Sequence, residues 1–182
     1  MATTRYTLTQ RLLHWLIALL VLGLLAVGLT FWALGYDGTV QLFGNDMTND
    51  LYKYHKTFGI LVLVLMILRL VLRRASPPPP HDPPLGRLER IVGGGTHLLL
   101  YLLLLGMPIG GWLATAAGGF PVQFFDWELP GLIGKNEELS KTLFLMHGYA
   151  GLAVIALLVL HIGAGLRHWR RKDGVMRRIS LP

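Results

Sequence analysis

The chain has 182 residues, of which 53% are hydrophobic and 15% charged, with a net charge of +7. A soluble domain of this length carries more charge, and the absence of cysteine excludes disulfides, iron–sulfur clusters and thioether-attached haem. The basic balance does not indicate nucleic acid, because the arginines and lysines cluster beside apolar runs, where membrane topology and contact with anionic lipid account for them.

In chain order, residues 12–36 contain no Asp, Glu, Lys or Arg. Arg5 and Arg11 precede this run as they would precede a signal peptide, but its apolar part exceeds the usual length of about 7–15 residues, so it is read as a first membrane span over 12–34. A polar loop, 35–52, follows. The second span, 54–73, is built on the charge-free stretch 57–68 and continues through Arg69, whose long side chain can reach the headgroups from near a helix end. The connector RRASPPPPHDPPLGRLER is read as extended and cytoplasmic, with His81 solvated in it. The third span, 96–116, contains Met107-Pro108, expected to kink or end its helix. His97, next to Gly93-Gly94-Gly95 and Thr96, is read as a close-packing residue at a helix start. A second polar loop, 117–141, carries Phe120, Phe124, Phe125 and Trp127, either an interfacial aromatic belt or a docking surface. The fourth span is 143–167. About 20 apolar residues cross a bilayer, so the expected fold is all-α, a four-transmembrane-helix bundle forming one membrane domain over 1–182.

With four spans, both termini and the central connector share one side. That side holds thirteen of the seventeen Lys and Arg residues, leaving only Lys53, Lys56, Lys135 and Lys141 on the other. The bias puts both termini in the cytoplasm.

Histidine within a span is costly and marks a candidate functional site. This topology sorts four of them into two depths: His55 and His147 at the outer level, His14 and His161 at the inner. His147 and His161 are fourteen residues apart, so at 100° per residue they share a face and at about 1.5 Å rise they lie about 21 Å apart. One turn beyond three of these histidines stands a glycine: Gly59 after His55, Gly151 after His147 and Gly165 after His161, with Ala18 after His14. A large side chain there would block a flat macrocycle from approaching the imidazole. Two histidines make a poor zinc site, whereas haem iron takes two axial ligands. The pattern therefore points to two haem b groups, each held by two histidines. Iron so ligated has no open position and is suited to passing electrons.

These residues resemble the bacterial cytochrome b561 family of small four-helix dihaem membrane proteins. The likeness lies in R-x-x-H-W (Arg11, His14, Trp15), H-x3-G (His55, Gly59), H-x13-H (His147, His161) and the tail H-x6-H (His161, His168), and it covers nearly the whole chain. It implies electron transfer across the bacterial inner membrane with ubiquinone as one partner, and an activity like that of relatives that oxidise superoxide at the periplasmic side. On that basis His168, about 10 Å below His161 on the same face, is a candidate to bind or protonate a quinone, or else an interfacial histidine among Arg167, Trp169 and Arg170. Lys53 and Lys56 beside His55 are candidates for superoxide entry, or for holding haem propionates. Against steering of an anion, the outer loops carry seven acidic residues and four lysines, a net charge of −3. A periplasmic dehydrogenase or carrier protein is therefore the alternative donor. A haem-free transporter would need a polar pathway, and beyond the histidines the spans offer none.

Overall fold

The computed structural model describes residues 5–81 and 84–181. Four long helices dominate it: α1 (Leu8–Phe43), α2 (Asn45–Ala75), α3 (Arg87–Ala117) and α4 (Glu137–Arg171). Of these, α1, α3 and α4 are long and apolar enough to cross a membrane. Each helix packs against its sequence neighbours and α4 closes back on α1, with no close diagonal approach among the described residues. The α1–α4 seam is the loosest of the four.

The apolar seam is narrow. Leu13, Ile17 and Val21 recur every four residues on α1, the spacing of one helix face, and are buried against Val62 and Met66 of α2, Leu100 of α3 and Val154 of α4. Most other large apolar side chains face outward, Leu19 being 70% and Val159 67% exposed. In water such a surface would be a liability. In a bilayer it faces a solvent as apolar as itself.

The helix ends are set by specific residues. Thr7 and Gln10 form a capping box at the start of α1. Gln10 Nε2 also donates to the carbonyls of Leu72 (3.2 Å) and Ser76 (2.9 Å), tying the start of α1 to the end of α2. At the other end Gly35 breaks the helix with φ 64° and ψ −174°, a backbone position glycine reaches without strain. The helix is thus broken directly after Leu34. Asn136 caps α4 by accepting from Leu139 N–H at 3.0 Å, and Ser140 Oγ donates to Ala114 O at 2.9 Å, fixing α4 to the end of α3.

Several segments differ from the sequence expectation. The stretch 35–52 is not a loop: beyond the break at Gly35, and apart from a turn at Gly44 (φ 81°), it is helix. Its polar side chains turn inward on the backbone, with Thr39 and Thr48 buried and bonded to the carbonyls of Gly35 and Gly44. Tyr36 Oη bridges Asn45 and Asn49. Within 117–141 lies a short hairpin, β1 (Val122–Phe124) paired antiparallel with β2 (Trp127–Leu129), in the register Val122–Leu129 and Phe124–Trp127. Met107-Pro108 does not end its helix, since α3 runs through Pro108 to Ala117; Pro108 cannot donate to the carbonyl four residues before it, and the rest of the ladder continues.

His81 is not free in solvent. The Arg178 guanidinium contacts its ring nitrogens, bonds Pro79 O and lies over the Tyr6 ring at 5.4 Å. Arg178 belongs to a 3₁₀ turn, Met176–Arg178, within a C-terminal tail strapped onto α1. Arg5 and Arg11 both donate to Ser180 O at 2.8 Å, and Trp15 Nε1 donates to Ile179 O at 3.0 Å. Two residues of the R-x-x-H-W motif are thereby occupied in holding the tail.

Candidate functional site

The bundle brings the sequence-selected histidines together in two pairs. His55 of α2 faces His147 of α4 with ring centroids 6.2 Å apart and planes at 72°. His14 of α1 faces His161 of α4 at the same 6.2 Å, with planes at 78°. Two imidazole nitrogens each about 2.0 Å from a shared metal, plus about 1.1 Å from each nitrogen to its ring centre, give about 6 Å between centroids. Both pairs have that spacing. No group of three or more metal-ligating His, Asp or Glu side chains forms among the described residues. Each metal-spaced set is therefore a pair of imidazoles, which suits a metal that already carries a planar tetradentate ring.

The outer pair lies beside a cleft of about 380 Å³ that opens at the loose seam between α1 and α4. Leu24, Leu25, Leu29 and Trp32 of α1 and Leu152 and Ile155 of α4 make its walls apolar. His147 Nδ1 donates to Met107 O at 3.1 Å, which leaves Nε2 free for a metal; a backbone carbonyl on the far nitrogen is the usual way to fix a ligating ring. Among the described residues, His55 Nδ1 is buried without a hydrogen-bond partner. Phe31 stands edge-on to His55 at 5.6 Å and stacks on Tyr52 at 3.8 Å.

The glycines divide by role. A Cβ at Gly59 or Gly151 would meet nothing within 4 Å, and Gly151 lines the cleft, so open space lies where a flat ring would need it. Gly165 differs, because a Cβ there would touch Met176 Sδ of the tail at 3.4 Å. Three further glycines escaped the sequence reading. A Cβ at Gly28 would come within 3.2 Å of His55 Cε1, and one at Gly111 within 3.0 Å of His147 Cε1. A Cβ at Gly148 would run into the Trp32 ring. Gly28 and Gly111 lie on helices other than the histidine each one seats, so no spacing within a helix could have revealed them.

At the inner level a third ring is present. His97, on the flank of α3, lies with its centroid 5.1 Å from that of His161. It is therefore part of the inner cluster rather than a packing residue at a helix start. That distance is too short for a metal between the two rings, so His14 remains the partner whose spacing fits.

The remaining candidates lie at the two ends. Lys53 Nζ is 2.7 Å from Asp126 Oδ1, and Lys56 Nζ donates to Pro121 O at 2.9 Å. Phe125 N–H donates to the buried Thr57 hydroxyl at 3.0 Å. All three contacts fasten the hairpin onto α2, so Lys53 carries its counter-charge with it. The hydrogen bond from Lys53, and then its charge, hold the Asp126 carboxyl below the usual carboxylate range. At the opposite end His168 is buried, its Nδ1 2.6 Å from Asp173 Oδ2. Burial pushes the Asp173 carboxyl up, but hydrogen bonds from His168 and the Val175 N–H, with the charges of His168 and Arg171, outweigh it and hold the group low. With Nδ1–H engaged, Nε2 is the atom left for a ligand. His168 borders a cleft of about 880 Å³ with Trp169, Arg170, Lys172, Met176 and Arg177.

Comparison with known proteins matches this chain to a family described as prokaryotic cytochrome b561 over residues 5–180. Among curated relatives, cytochrome b561 homolog 2 of Escherichia coli strain K12 is 30% identical over 178 residues, covering 96% of this chain and 90% of the relative. Cytochrome b561 homolog 1 of the same organism is 26% identical over 176 residues, 96% of each chain.

Proposed function

Since the chain belongs to the prokaryotic cytochrome b561 family of haem-binding membrane electron-transfer proteins, we propose that it carries electrons between the periplasmic face of the bacterial inner membrane and ubiquinone, with superoxide as donor. In this reading α2 is the fourth span, both termini are cytoplasmic, His55 and His147 hold one haem b, and His14 and His161 hold a second. The observation that carries the reading is the shared 6.2 Å spacing of the two imidazole pairs. Bis-histidine haem supplies reversible one-electron chemistry with no vacant coordination position.

The residues around the pairs have distinct tasks. Met107 O fixes the His147 tautomer, Gly28 and Gly111 let the neighbouring helices approach the rings, and the apolar cleft walls keep water away. His168 donates from Nε2–H to a quinone carbonyl when protonated and accepts from a quinol hydroxyl when neutral, while Asp173 fixes its orientation. The balance is two superoxide anions, one ubiquinone and two protons giving two molecules of oxygen and one ubiquinol. Lys56, adjacent to His55, is the cation on the superoxide approach, because Lys53 is already paired.

One observation favours a second reading, in which a periplasmic protein is the donor. The hairpin neutralises Lys53 with Asp126 and exposes Trp127 (72%) beside Glu128. Stopped-flow reduction of the purified protein by superoxide, with and without ubiquinone, separates the two. Fast reduction with no partner protein is expected. Reduction no faster than the dismutation of superoxide would refute the superoxide reading and leave the protein-donor reading.

A further inference from the structure

Arg69 was expected to reach out of the bilayer toward the headgroups. The structure turns it inward. Its Nη1 lies 3.3 Å from Gln10 O, one helical turn before His14 on α1. The side chain is half-buried, which holds the guanidinium beside the start of the helix turn that carries His14. The position is fixed from both sides, because Gln10 itself bonds Leu72 O and Ser76 O at the end of the helix that carries Arg69.

No carboxylate among the described residues pairs with this guanidinium. Glu89 is engaged by Arg167 and Arg171, each at 3.1 Å, and Asp173 is held by His168. A permanent cation inside a spanning segment, lacking a counter-ion, is unfavourable unless an anion joins it. Arg also presents a planar fork suited to a carboxylate. Haem b brings two carboxylates on one edge of its ring.

From this placement we infer that Arg69 is the charge partner of the inner haem's propionates, and that it raises the reduction potential of that haem relative to the outer one. The inference rests on the reading that His14 and His161 hold a haem. A cation beside a haem favours the reduced state, which carries one positive charge fewer. Arg69 would therefore bias electrons toward the inner, quinone-facing level. At the outer level Lys53 is neutralised by Asp126, and Lys56 is tied to the Pro121 carbonyl of the hairpin.

The test is a potentiometric titration of the purified full chain carrying Arg69→Gln, followed by the absorption spectrum of each haem, with Arg69→Lys in parallel. With both haems bound and both spectra low-spin, Arg69→Gln should shift the oxidised-to-reduced ratio of one haem at least about tenfold toward oxidised at fixed potential, about 59 mV for one electron. The other haem should be unchanged, and Arg69→Lys should recover most of the shift. Unchanged potentials, equal shifts in both haems, or no recovery by lysine would overturn the assignment. If Arg69→Gln sheds the inner haem, Arg69→Lys decides: a retained haem at near-native potential supports the pairing, and a lost one overturns it. Failure of the parent reading looks different, because His14→Ala and His161→Ala would then leave the haem content of the chain untouched.

Discussion

Gly111 offers the sharpest test of the outer site, because a single methyl group should separate helix stability from haem ligation. Gly111→Ala removes a flexible residue from the interior of α3, which by itself stabilises a helix by about 0.8–1 kcal/mol. The new Cβ would lie 3.0 Å from His147 Cε1 and 3.2 Å from Nδ1, where ordinary contact begins near 3.4 Å. The imidazole must move by about 0.4 Å, which uses up most of the ~0.5 Å tolerance within which a ligating group has to be held. It cannot move freely, because its Nδ1 is bonded to Met107 O at 3.1 Å, one turn from Gly111 on the same helix. Overpacking of this kind costs about 1–3 kcal/mol, which weakens outer haem retention about 5- to 150-fold. The assay is haem per chain by pyridine haemochrome, with the low-spin spectrum of the outer haem as a second readout. Gly163→Ala is the control: that glycine is exposed and its Cβ would meet nothing within 4 Å. Full occupancy and an unchanged spectrum in Gly111→Ala would refute the reasoning and leave the glycine a packing coincidence.

Three further outcomes are expected. His55→Ala or His147→Ala should remove the outer haem first and His14→Ala or His161→Ala the inner, with haem content and ligand-binding difference spectra as readouts; intact bis-histidine spectra in both outer variants would show the pairing to be wrong, and His97→Ala should keep both haems. His168→Ala and Asp173→Asn should each slow oxidation of the reduced haems by ubiquinone several-fold while haem content stays at two per chain, and unchanged quinone turnover in both would remove the cytoplasmic cleft from the electron path. The third outcome concerns pH. Burial first, then the charges of Arg178 and His168, against a smaller opposing effect of Asp173, hold the His81 pKa below its ordinary value. The neutral ring is thus favoured when the tail is docked, so its contribution is complete above about pH 6.5 and is lost as pH falls through the lower docked value. The protection of residues 175–181 against hydrogen exchange, corrected for the slower intrinsic exchange in acid, should therefore fall between pH 7 and pH 5, and protection that does not change with pH would contradict this.

The helices and their apolar lengths were legible in the sequence because lipid imposes a one-dimensional rule: a charge-free run long enough to cross is a helix, since nothing else satisfies its backbone. The break at Gly35 and the caps at Thr7 and Asn136 were not read from the sequence, although each is local chemistry. The shared face of His147 and His161 was legible, because it follows from helical period alone. What the period cannot give is which face of one helix meets which face of another. The 6.2 Å spacing of His14 with His161, and of His55 with His147, depends on the packing of α1 and α2 against α4, as does the placement of His97 beside His161. Gly28, Gly111 and Gly148 have meaning only through rings carried by other helices. The polar segments were misread for a more local reason. Thr39 and Thr48 look like loop residues by composition, yet each buries its hydroxyl on the carbonyl one helical turn before it. Arg69 shows the first limit most clearly: in the sequence it is a cation near a helix end, free to reach toward water, and only the bond to Gln10 O, one turn before His14, turns it inward.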